Sequence, residues 1–102
     1  MKNTIEPKTN VMFRQFADGD IIALFVSMAA DRNPENCQSY MHIGQHSAAH
    51  PLGVIATTKP ATKAQYSDLK KELENIGYDL RVIKHYDAFK CLESREKQIS
   101  KP

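Results

Sequence analysis

Apolar residues near the start of this chain fall into two β-prone runs, residues 11–16 (VMFRQF) and residues 21–26 (IIALFV). Residues 17–20 (ADGD) join them, and Asp-Gly between apolar runs is a strong hairpin signal because both residues tolerate the positive φ of a tight turn. The second run is apolar at every position, which predicts a strand covered on both faces or buried centrally. The first carries Arg14 and Gln15 and is expected to be the more exposed of the two. Residues 30–36 (ADRNPEN) read as a loop, since Asp, Asn and Pro each favour turns. Residues 37–44 (CQSYMHIG) alternate, Ser39, Met41 and Ile43 against Tyr40 and His42, as a third strand would. Residues 45–51 (QHSAAHP) break that alternation and read as a loop. Residues 52–58 (LGVIATT) resume β-branched character and predict a fourth strand, with Gly53 marking a bulge or a close backbone approach.

Beyond Pro60 the period changes from two to about 3.6. Thr62 and Gln65 form a capping-box pattern, and Tyr66, Leu69, Leu73 and Ile76 make one apolar stripe opposite Asp68, Lys70, Lys71, Glu72 and Glu74. Gly77 follows directly as a C-terminal stop. The pattern therefore predicts a helix over residues 62–76. Residues 78–83 (YDLRVI) alternate again as a fifth strand. Residues 87–99 suit a short helix with Ala88, Phe89 and Leu92 inward and a Glu93–Lys97 pair outward. The order β-β-β-β-α-β gives an α+β fold: a mostly antiparallel sheet of about five strands with one main helix on one face and a short C-terminal helix. Residues 1–10 are read as a flexible arm, residues 11–86 as a single domain and residues 87–102 as a C-terminal helix or tail.

With 102 residues, composition adds limits rather than identity. Fourteen Lys and Arg against twelve Asp and Glu leave a net charge of +2, too little for a general polyanion binder, so nucleic acid is not an expected partner. The longest apolar run, residues 21–30, has about half of the roughly 20 residues a membrane-spanning helix needs. Asp18 and Asp20 stand before it where a secretory signal carries positive charge, which argues for a cytoplasmic protein. Cys37 and Cys91 are far apart in the chain and read as free thiols, forming neither a zinc ribbon nor a redox motif.

Candidate chemistry gathers in HIGQHSAAH, which spaces His42, His46 and His50 at intervals of four. That spacing ligates zinc when it lies on a helix, but Gly44 and the preceding strand argue against one, so no metal and no cofactor is expected. Ser47 beside His46 and Cys37 before His42 are weak nucleophile candidates, because adjacent strand residues face opposite ways. The segment from Gly44 to residue 51 can equally be a tight polar connection or a binding loop. In the second case Gly44, Gln45, His46, Ser47 and His50, with His42, offer amides and imidazoles to a small anionic ligand, and Arg14 or Arg81 adds a bidentate clamp.

The passages FRQFADGDIIALF, SYMHIGQHSAAH and TTKPATKAQYSDLKKELENIGYDLRVIK resemble a group of short proteins of bacteriophages and mobile elements of gut bacteria. The resemblance implies a context in which small proteins without catalytic motifs bind a host protein or a signalling molecule. The function expected is thus non-enzymatic binding: sequestration of a nucleotide signal or inhibition of a host defence protein. The alternative is a histidine- or metal-dependent hydrolase acting on a nucleotide or phosphoester. Self-association into a homo-oligomer is also expected, since a chain of this size buries only some 60–70% of its unfolded surface and open sheet edges invite pairing.

Overall fold

The computed structural model describes residues 8–42 and 46–100. The hairpin forms as its sequence requires: β1 (Thr9–Gln15) pairs antiparallel with β2 (Ile21–Ala29) in the register Gln15 to Ile21 and Met12 to Leu24. Gly19 supplies the positive φ of 98° in the turn, and the Asp18 carboxylate accepts the Asp20 amide at 3.0 Å. β3 (Cys37–Tyr40) continues the sheet on the other side of β2. With β4 (His46–Ala49), β5 (Lys59–Pro60) and β6 (Leu80–Val82), the whole order is β4-β3-β2-β1-β5, with β6 also on the outer edge of β1. One pairing, β1 with β6 (Leu80–Val82), is parallel; the others are antiparallel.

Both faces of the sheet are covered. Val11, Phe13, Ala23, Phe25 and Tyr40 meet Leu69 and Leu73 of α2 (Lys63–Ile76) on one face. Met12, Ile22, Leu24, Val26 and Cys37 meet α1 (Pro51–Thr57) and α3 (Ala88–Ile99) on the other. This accounts for the unbroken apolar run in β2, whose residues Ile22 to Val26 are all buried.

The α2 boundaries match the expected signals. Thr62 Oγ1 accepts the Gln65 amide at 3.2 Å, Gln65 Oε1 accepts the Thr62 amide at 2.8 Å, and Gly77 closes the helix at φ 128°. The stripe is narrower than its pattern, since Ile76 is half exposed at the end of the helix.

Several expectations are overturned. Residues 52–58 do not form a strand: α1 occupies that stretch, capped by His50, whose Nδ1 accepts the Gly53 amide at 3.1 Å, and begun by Pro51. Strand propensity gives way here to caps and to packing of Val54 and Ile55 under the sheet. Part of the expected loop is a strand, β4 (His46–Ala49), whose small side chains carry little pattern because its pairing with β3 is made by backbone. A two-residue β5 (Lys59–Pro60) completes the six strands. The first strand is not the more exposed one. β1 is central and Arg14 is buried, donating to Thr58 Oγ1 at 2.9 Å and to the carbonyls of Ile55 and Thr58 at 3.0 and 2.8 Å.

In α3 the buried residues are Cys91 and Arg95, while Ala88 and Phe89 point outward, Phe89 being 79% exposed. The cause lies in β2, whose register with β3 shifts between Phe25 and Ala29. The bulge frees backbone groups from the ladder. Polar side chains of α3 take them: Arg95 donates to the Val26 carbonyl at 2.5 Å, Ser94 and Gln98 to that of Ser27 at 3.2 and 2.6 Å, and Gln98 Oε1 accepts the Ala29 amide at 2.7 Å. α3 therefore docks with a partly polar face, which an apolar stripe search does not find.

Candidate functional site

Residue 72 lies on the shoulder of the α2 stripe, next to Leu73 and one turn from Leu69, so its side chain leans over the sheet toward the end of β3. The Glu72 carboxylate there accepts the Tyr40 hydroxyl through Oε2 and the His42 Nδ1–H through Oε1, the latter at 2.8 Å. The Tyr40 ring also meets His46 of β4 edge to face, with centroids 4.7 Å apart. His46 Nε2 is in turn 2.9 Å from the hydroxyl of Tyr78, whose ring stacks on Phe25 at 4.9 Å. Burial pushes the Tyr78 hydroxyl above the ordinary phenol range. Two histidines, two tyrosines and one carboxylate thus tie the β3–β4 hairpin to α2 and to the residue after its cap.

His42 is the outermost member, its side chain 68% exposed. With Nδ1 held by Glu72, its ring presents Nε2 away from the network, the orientation a carboxylate imposes on an imidazole that acts as base or acceptor. It stands at the rim of a cleft of about 410 Å³ between the β1–β2 turn and α2. Ile21, Met41 and Leu69 give this cleft an apolar floor, and Asp20, Asp68 and Glu72 give it carboxylates; among the described residues no Lys or Arg lines it.

The other expected site residues are dispersed. His50 faces away from His42 and His46 as the cap of α1, its Nε2 3.8 Å from Glu35. Ser47 Oγ donates to the neighbouring Ala48 carbonyl at 3.4 Å, and the Ser47 carbonyl accepts Ser39 Oγ at 2.9 Å. Arg14 is committed to the end of α1, and Arg81 is exposed on β6, at the opposite edge of the sheet from β4. Gly44 and Gln45 lie outside the described residues. Among the described residues no group of three His, Cys, Asp or Glu is arranged to hold a metal ion.

Neither cysteine is placed to act as a nucleophile. Cys37 is fully buried, and burial pushes its thiol up to about 11, the nearby Arg95 pulling it down less than desolvation raises it. Cys91 is buried with its Sγ 3.7 Å from Ser27 Oγ. A thiol that stays protonated in the fold but ionises near its ordinary value when unfolded favours the unfolded chain as pH rises through that value. Stability is therefore expected to decline between about pH 9 and 11, and Cys37→Ser is expected to flatten that decline in urea titrations across this range.

Glu72 and Tyr78 escape a reading of candidate chemistry because they lie 30 and 32 residues from the histidines they bond. Glu72 falls on the face assigned to solvent, and only its position beside Leu73 hints that it borders the core. No helix among the described residues is long and apolar enough to cross a membrane. The fold and site together define an α+β domain with a mostly antiparallel six-stranded sheet and a histidine–carboxylate network at one end. None of the protein-family models, curated proteins or solved structures compared with the chain matches it.

Proposed function

We propose that the protein acts by binding, and that its partner is a host protein which places a lysine or arginine side chain in the cleft beside His42. The observation that carries this reading is the lining of that cleft: three carboxylates and a carboxylate-held histidine around an apolar floor. An aliphatic stem ending in a cation matches both parts of the lining, whereas a nucleotide phosphate would face Asp20, Asp68 and Glu72. The resemblance to short phage and mobile-element proteins supplies the context of host-protein inhibition. A second reading, histidine-dependent hydrolysis, draws on the Glu72–His42 pair alone, with water as the nucleophile.

Titration of the purified protein against lysine- and arginine-containing peptides and against a panel of linear and cyclic nucleotides tests these readings. The proposal expects basic peptides to bind, with affinity falling about tenfold, or 1.4 kcal/mol, in Asp68→Asn and Glu72→Gln. Peptide affinity unchanged in both variants, or binding of nucleotides alone, would sink it. Nucleotide turnover lost in His42→Ala would put the hydrolase reading in its place.

A further inference from the structure

Arg95 is 2% exposed and makes no ion pair with any described residue. Its Nε donates to the Pro34 carbonyl at 2.7 Å, one terminal nitrogen to the Val26 carbonyl at 2.5 Å and the other to the Tyr86 hydroxyl at 3.3 Å. These three bonds hold the fork in place but bring no negative charge. A guanidinium has five N–H donors, so the fork keeps capacity beyond them. Taking a cation out of water without a counter-ion is costly, and a hydrophobic side chain of similar volume would avoid that cost.

The same side chain lines a cavity of about 290 Å³ between the N-terminal ends of α1 and α3. Pro51, Leu52 and Leu92 contribute apolar wall, and His50 and Tyr86 contribute polar groups. Their donor roles follow from bonds already described. Because His50 Nδ1 accepts the Gly53 amide, the neutral ring carries its proton on Nε2. Because the Tyr86 hydroxyl accepts from Arg95, its own proton is available to another acceptor. A buried cation and two neutral donors therefore share one small, largely apolar cavity.

We infer that this cavity binds a small organic monocarboxylate, its carboxylate on Arg95, Tyr86 and His50 and its apolar body against Pro51, Leu52 and Leu92. Glu35, exposed at the same cavity and 3.8 Å from His50 Nε2, sets the charge limit. Its carboxylate repels a phosphate dianion more than a single negative charge. The apolar walls select further, favouring a carboxylate with a hydrocarbon body over acetate. The site is separate from the His42 cleft and does not depend on the function proposed for it.

Calorimetric titration of the full chain with acetate, hexanoate, benzoate and inorganic phosphate tests the assignment, with amide and Arg side-chain NMR shifts locating the ligand. Hexanoate and benzoate are expected to saturate, to bind at least about tenfold tighter than acetate or phosphate, and to shift the Arg95 Nε–H signal. Tyr86→Phe keeps the ring and is expected to weaken benzoate about tenfold. Leu92→Trp fills the cavity and is expected to abolish binding; melting curves confirm that both variants fold, so the test does not rest on Arg95→Met, which removes a buried structural group. Absence of saturation by benzoate and hexanoate up to about 10 mM would overturn the inference. So would phosphate binding as tightly as benzoate, or affinity unchanged in both folded variants.

Discussion

Truncating Leu73 to alanine is expected to cost about 2–5 kcal/mol of folding stability. Leu73 is fully buried and sits with Leu69 against Val11, Phe13, Phe25 and Tyr40, so the lost methyl groups leave a void in the core under α2. Leu69 is the other buried anchor of α2; Ile76 is half exposed and Tyr66 only partly buried, so neither compensates for the loss. In a domain of about 100 residues each kcal/mol moves the melting temperature by roughly 4–8 °C, so Leu73→Ala is expected to melt at least about 10 °C below the parent. Ile76→Ala, at the exposed end of the stripe, is expected to move it by only a few degrees at most. Calorimetry of the two variants in parallel checks both. A Leu73 variant melting with the parent would show that α2 is not docked on the sheet.

Arg14→Met is expected to be comparably damaging, at about 2–4 kcal/mol, for a different reason. The methionine fills similar volume, but the guanidinium's bonds to Thr58 Oγ1 and to the carbonyls of Ile55 and Thr58 disappear. Those carbonyls lie at the C-terminal end of α1, where backbone acceptors have no partner within the helix. α1 has only seven residues and no basic residue in its last turn, so Arg14 from β1 is its C-terminal cap. Hydrogen exchange is expected to show protection lost first in α1, with β1 and β2 still protected. Lysine at this position is expected to rescue little, since a single ammonium cannot reproduce the fork. Exchange rates in α1 unchanged from the parent would remove Arg14 from this role.

Within the candidate site, His42 and His46 were legible because their spacing in HIGQHSAAH is conspicuous. Their partners were not. Glu72 is 30 residues from His42, and Tyr78 is 32 from His46. The expected convergence of three histidines failed because His50 serves α1: a side chain that caps a helix is turned toward that helix's own amides. The cavity beside Arg95 was invisible for a related reason. An arginine in a short amphipathic helix reads as solvent-facing, and only the bulge in β2 and the turn at Pro34 provide the carbonyls that draw it inward.

By itself the chain determined the β1–β2 hairpin, the burial of β2 on both faces and α2 with both of its caps. The hairpin and α2 rest on interactions between residues a few positions apart, a Gly-dependent turn, a reciprocal Thr62–Gln65 cap and a helical period, so local order carries them, whereas the burial of β2 shows in the chain only as an unbroken apolar run. Only the tertiary structure decided the state of residues 51–57, the placement of α3 and the gathering of Tyr40, His42, His46, Glu72 and Tyr78. The β-branched run there is helical because an arginine more than forty residues earlier binds its last carbonyls and the underside of the sheet buries Val54 and Ile55. Such long-range hydrogen bonds and burial outweigh per-residue propensities that differ by about 1 kcal/mol or less, and no local pattern records them.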